Sequence, residues 1–123
     1  MLGTELAQFL RGNWRTNSYF LGVYPSDRLP EQSVSRPCCL VINSEPAAEE
    51  GEHWVAVYIS GSGIGVYFDS YGFYPANRSI RDFLTRNTRM WYWNNQPIQS
   101  ALSNKCGYYC LYFLFKSAEG QPI

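Results

Sequence analysis

The stretch His53-Trp54-Val55-Ala56-Val57-Tyr58-Ile59, the turn Gly61-Ser62-Gly63 and the stretch Gly65-Val66-Tyr67-Phe68-Asp69-Ser70 decide the fold. Both flanks are short and rich in β-branched and aromatic residues, and glycines separate them, which is the pattern of a hairpin. If the strands fold about Gly61, cross-strand partners have residue numbers totalling about 122, a condition that His53 and Asp69 meet. Directly opposed residues put their Cβ atoms about 5 Å apart on one face. The hairpin therefore predicts that an imidazole and a carboxylate meet at its open end. A glycine bulge at Gly63 or Gly65 would shift this register by one. The competing reading is a surface strand that carries an unrelated His and Asp.

Outward from the hairpin, Thr4, Leu6, Phe9 and Leu10 have the spacing of a short amphipathic helix that ends near Gly12. Residues 13–36 are rich in turn formers and read as an ordered loop anchored by Tyr19-Phe20-Leu21. Cys38-Cys39-Leu40-Val41-Ile42-Asn43 is a continuous apolar run of strand length, as a central strand buried on both faces requires. Glu45 to Glu52 reads as a small acidic loop. Residues 76–88 fit a helix that buries Ile80, Phe83 and Leu84, and Met90-Trp91-Tyr92-Trp93 fits a core strand better than a base-stacking platform. A final apolar helix runs over 106–117. The order helix, three strands, helix, strand, helix predicts one α+β domain over residues 1–123, with a mostly antiparallel central sheet flanked by helices.

The totals narrow the function classes. A chain of 123 residues can bury a real core but is small for an enzyme. Aromatic residues make up 17% of it, which argues against disorder. Ten basic and ten acidic residues cancel, so overall charge predicts no special attraction to nucleic acid or to an anionic membrane. Adjacent Cys38 and Cys39, with Cys106 and Cys110, suit neither a disulfide framework nor the spaced pairs of a zinc site, and one histidine offers little as a further ligand. No metal is expected. The first residues lack a basic region followed by an unbroken apolar stretch, and no segment has the length of a membrane span. The expectation is a soluble, intracellular or particle-associated monomer with reduced thiols and no membrane contact.

Cys106 carries the chemistry. It stands at the start of the apolar run Tyr108-Tyr109-Cys110-Leu111-Tyr112-Phe113-Leu114-Phe115, where a helix leaves its first N–H groups unpaired and favours an anion. A cysteine there can be held as the reactive thiolate. It needs a base, which only His53 can be, and the base needs an orienting group, for which Asp69 is placed. The developing oxyanion needs donors: the Cys106 backbone N–H is one, and the Gln99 side-chain amide, seven residues upstream, offers another. Gly107 lets a substrate backbone approach closely. A buried structural thiol is the competing reading for Cys106 and the preferred one for Cys110, which lies inside the apolar run.

Several stretches, in order, resemble the adenovirus protease (adenain) branch of the Ulp1-like cysteine peptidases. Tyr19-Phe20-Leu21-Gly22-Val23-Tyr24, Cys39-Leu40-Val41-Ile42-Asn43, the pair His53-Trp54, Tyr67-Phe68-Asp69-Ser70-Tyr71-Gly72-Phe73 and Gln99 through Cys106-Gly107 carry the likeness from about residue 19 to residue 116. The resemblance implies a papain-like fold, with Cys106 as nucleophile, His53 as base and acid, Asp69 as orienter and Gln99 as oxyanion donor. It implies cleavage of protein or peptide substrates near glycines, in the maturation of viral or virus-like precursors, and a location in the host nucleus or virion. The same triad serves enzymes that remove ubiquitin-like modifiers, so deconjugation is an alternative, as is a catalytically silent binding module.

Family members use no cofactor for the chemistry itself, but resemblance suggests DNA or a peptide as activator. The peptide is tethered through a cysteine between the acidic residue and the glutamine, and residues 70–98 contain none. Arg78, Arg81, Arg86 and Arg89 would fall within about 140° of helical arc and form a candidate DNA patch. Asp82 lies in the same stripe, so a solvated helix face competes with that reading. Family members continue well past the nucleophile helix, whereas this chain stops at Ile123, and the elements added there are expected to be absent or reduced.

Overall fold

The computed structural model describes residues 2–44, 53–97 and 105–120. Helix α1 (Gly3–Gly12) opens with the Glu5 carboxylate accepting the Leu2 N–H at 2.8 Å, and it buries Leu6, Ala7 and Leu10. Strands β1 (Phe20–Pro25), β2 (Cys38–Asn43), β3 (Trp54–Ile59) and β4 (Ile64–Phe68) follow. Helix α2 (Arg78–Asn87), strand β5 (Met90–Trp93) and helix α3 (Cys106–Ala118) complete the described elements. None of these helices is long and apolar enough to cross a membrane.

The fold is α+β, built on one five-stranded sheet in the order β1-β2-β3-β4-β5. It is a mixed sheet, which corrects the expectation of a mostly antiparallel one: β2–β3 and β3–β4 are antiparallel, but β1–β2 and β4–β5 are parallel. The cause lies in the connections. A strand that returns through a crossover re-enters from the same end and pairs parallel. Between β4 and β5 the crossover is α2. Between β1 and β2 it is the 26–37 loop, which is fastened to α2 by Ser79 Oγ donating to the Ser26 carbonyl (2.6 Å) and by the Val34 N–H donating to Asn87 Oδ1 (3.1 Å).

The extra strand β1 lies inside the stretch read as a loop. Its Gly22 and Pro25 are poor strand formers, and a bulge interrupts its pairing between Phe20 and Val23. The other edge strand, β5, is half covered: Trp91 and Trp93 pack against the core on the α2 face, while Met90 and Tyr92 are exposed.

Side chains of β2 alternate between two cores, which is why the whole strand is apolar. Cys39 and Val41 join Leu6 and Leu10 of α1 and Cys110, Phe113 and Leu114 of α3; Phe68 stacks on Phe113 with centroids 4.7 Å apart. Cys38, Leu40 and Ile42 face Ile80, Phe83 and Leu84 of α2. The sheet is thus covered by α1 and α3 on one face and by α2 on the other.

The hairpin differs in register from the expectation. Ala56 pairs with Phe68, Val57 with Tyr67 and Ile59 with Gly65, so partners total 124 rather than about 122. The turn spans Ser60 to Gly63, where the Gly63 N–H donates to the Ser60 carbonyl and Gly63 takes a φ of 91°. Continued beyond the paired residues, this register sets Tyr71, not Asp69, across from His53.

Candidate active site

His53 sits immediately before β3, and its backbone is held because its carbonyl accepts the Ser44 N–H at 2.9 Å. Asp69 follows the end of β4 and is buried. Despite the shifted register the two side chains meet: His53 Nε2 lies 2.9 Å from Asp69 Oδ1. The contact is the diagonal one of a hairpin, from residue i to residue j−2. The directly opposed Tyr71 lies parallel against the imidazole, with ring centroids 4.5 Å apart and 7° between planes.

Asp69 is fixed from several sides. The same Oδ1 accepts the Tyr71 N–H at 2.9 Å. The Asn94 side chain brackets the Asp69 backbone, with Oδ1 accepting its N–H at 2.8 Å and Nδ2 donating to its carbonyl at 2.6 Å. That carbonyl also accepts the Gly72 N–H at 2.7 Å. Gly72 has a left-handed φ of 80°, and a Cβ on it would stand 2.7 Å from the Pro97 nitrogen, so only glycine fits. The Asp69 turn and the 94–97 segment are therefore packed backbone to backbone.

Cys106 arrives from the other layer, as the first residue of α3, and it is 5% exposed. Its Sγ accepts the Trp54 N–H at 3.4 Å, which joins the helix to the residue after the histidine. The Trp54 indole closes against α1, where a Cβ on Gly3 would stand 3.2 Å from it. His53 Nδ1 is buried with no oxygen or nitrogen partner, and with Nε2 on Asp69 it is the nitrogen left to the Cys106 thiol.

The electrostatics follow from this sandwich. Burial alone would push the imidazole down, but the hydrogen bonds to Asp69 and Cys106 and their charges carry it up to about 9. Burial alone would push the Cys106 thiol up. The His53 hydrogen bond, the Trp54 and Gly107 N–H groups and the imidazolium charge together hold it below its ordinary value. Each shift favours a proton on the ring and none on the sulfur. The other thiols behave oppositely: burial lifts Cys38 to about 11, Cys39 to about 12 and Cys110 well above its usual range.

Beside His53 and Asp69 lies an open cleft of about 260 Å³, lined by Ser44, Tyr67, Phe73, Tyr74 and Asn77 among others. Phe73 and Tyr74 are exposed there.

The structure thus brings His53, Asp69 and Cys106 together. Gln99 lies outside the described residues, as does the acidic loop Glu45 to Glu52. Of the arginines assigned to one stripe, Arg78, Arg81 and Arg86 lie on α2 and Arg89 does not. Arg78 pairs with Asp82 at 3.7 Å, and Arg81 Nη1 donates to the carbonyls of Pro75 and Ala76. Arg86 lies in the last turn of α2, and Arg89 lies past the end of the helix, where the helical arc assumed for it does not apply.

Sequence reasoning assigned no role to Tyr71, Asn94 or Gly72. The correct hairpin register would have found Tyr71. An amide residue directly after an aromatic strand is a turn signal, but it does not say which backbone it clamps. Compared with protein-family models and with curated proteins, the chain matches none.

Proposed function

We propose that the protein is a cysteine endopeptidase with Cys106 as nucleophile, His53 as base and acid, Asp69 as orienter and Gln99 as oxyanion donor. One observation carries this reading: a single imidazole lies between a buried carboxylate and a thiol at a helix start, with ring and sulfur shifted toward imidazolium and thiolate. Such a pair lowers the cost of activation, because the imidazole and the N–H donors favour the ionised sulfur.

In the proposed reaction the Cys106 sulfur attacks the peptide carbonyl carbon, and the carbonyl electrons move onto oxygen. The first-turn N–H of Cys106 and the Gln99 amide receive that charge. Collapse of the adduct breaks the C–N bond, while His53 gives its proton to the leaving amine. Water then enters; His53 takes one of its protons, and the hydroxyl displaces the thioester sulfur to release the acid. Asp69 and the Tyr71 ring hold the imidazole plane in line through both halves.

The substrate class rests on the adenain-like pattern of segments: protein chains cut near glycines, in the maturation of viral or virus-like precursors, within a papain-like fold. The proposed chemistry draws on these side chains, the Cys106 backbone N–H and water. The test is cleavage of glycine-containing peptides by the protein beside its Cys106→Ala variant. Loss of cutting in the variant is expected, and cutting that survives would overturn the mechanism. Cleavage of a ubiquitin-like modifier precursor but not of the peptides would move the substrate to the alternative class.

A further inference from the structure

At the turn end of the β3–β4 hairpin, opposite the thiol site, a second cleft of about 230 Å³ collects Arg36, Arg86 and Arg89 with Val34, Asn87 and Thr88, and no acidic residue lines it. Among the described residues none of these three arginines pairs with a carboxylate. Three like charges drawn together without a counter-charge repel one another, and a ligand anion relieves that repulsion.

The walls are built in advance. The Asn87 amide is held at both ends, accepting the Val34 N–H at 3.1 Å and donating to the Phe83 carbonyl at 2.9 Å. Thr88 Oγ1 donates to the Leu84 carbonyl at 2.7 Å, and the Arg89 N–H donates to the Gly63 carbonyl at 2.8 Å. Two guanidiniums are tethered from behind, Arg86 Nη2 to the Pro30 carbonyl (3.0 Å) and Arg89 Nη1 to the Ser62 carbonyl (3.3 Å). A tethered guanidinium keeps further donors to offer and loses less freedom on binding. Gly63 makes the gathering possible: a Cβ there would stand 2.3 Å from Arg36 Nη1 and 3.1 Å from Arg89 Cγ.

We propose that this cleft is a binding site for a compact phosphate-bearing ligand, held by Arg36, Arg86 and Arg89. One guanidinium fork saturates a carboxylate, whereas a phosphate has oxygens enough for three. The volume is below the usual range for drug-sized ligands, which fits a small charged group rather than an extended apolar one. Duplex DNA needs a stripe of cations along its backbone, and Arg78 and Arg81 point their donors elsewhere.

The test is titration with inorganic phosphate and pyrophosphate at fixed ionic strength, followed by backbone amide shifts. Saturating shifts at Val34, Thr88 and Arg89 are expected, with pyrophosphate binding tighter than about 1 mM. Arg36→Gln and Arg89→Gln should each weaken it about tenfold or more, whereas Arg78→Gln, outside the cleft, should leave it unchanged. Arg86→Gln serves in place of either variant that fails to fold. Shifts that do not saturate, or equal weakening by Arg78→Gln, would overturn the proposal. So would tight binding of duplex DNA that Arg36→Gln leaves intact while pyrophosphate does not bind.

Discussion

The first and second turns of α3 each present a cysteine to the same apolar layer, and their chemistry diverges. Cys110 is sealed among Leu111, Phe113 and the sheet, where burial acts unopposed and holds the proton on sulfur. Cys106 is also buried, but the hairpin delivers an imidazole and a backbone N–H to its sulfur. Burial is common to both, so it is the donors that separate a reactive thiol from a packing one. What the helix contributes is position: residue 106 is its first, where unpaired N–H groups add to the same field.

That contrast can be broken most severely at the sulfur. Cys106→Ala should lower peptide cleavage by roughly 10⁶-fold, to background, while Cys110→Ala should leave the rate per folded molecule little changed. Alkylation by iodoacetamide at neutral pH, located by mass spectrometry, should fall on Cys106 and spare Cys38, Cys39 and Cys110. His53→Ala should cost roughly 10²–10⁴-fold in kcat/KM and make the alkylation of Cys106 no faster than that of an ordinary thiol. Faster labelling of Cys110 than of Cys106 in the unaltered protein would reverse the comparison.

The pH profile tests the same pair. His53 lies above its ordinary 6.5, so the stability it contributes is complete below that value and is lost as the pH rises through about 9. Cleavage should therefore fall on an alkaline limb near pH 9. The stability difference between the protein and His53→Ala, read from denaturant midpoints, should shrink across the same window. Smaller still is the effect expected at the ring that covers the imidazole: Tyr71→Ala removes a stacked contact and should slow cleavage by about two- to tenfold, with KM little altered. An unchanged rate would reduce Tyr71 to a bystander of the hairpin register.

Most elements were legible because their periodicities are strong. The apolar run at 38–43 and the hairpin flanks announce strands, and the Ile80, Phe83, Leu84 spacing announces α2. Strand β1 was not, since Gly22 and Pro25 weaken its local preference and only the neighbouring β2 makes it a strand. Parallel pairing was also missed, although a helix between two strands is a crossover and implies it. The partners His53, Asp69 and Cys106 were readable from residue type and order. Their geometry was not, because a turn reaching from Ser60 to Gly63 moves the register by two and hands Asp69 a diagonal contact in place of the opposed one. Asn94 shows the limit plainly: its whole role is two hydrogen bonds to a backbone 25 residues away.

The sheet lays its strands side by side in the order in which the chain supplies them. Two neighbours, β3 and β4, bring His53 and Asp69 together by a local turn, a fast event in a growing chain. The sulfur is different, for it comes from α3, which follows every strand and must dock on a finished layer. In the folded chain His53 and Asp69 are thus joined through neighbouring strands, whereas Cys106 reaches them only through α3. The proposed thiolate–imidazolium pair exists only where α3 has closed on the sheet, so its chemistry is tied to the completed fold.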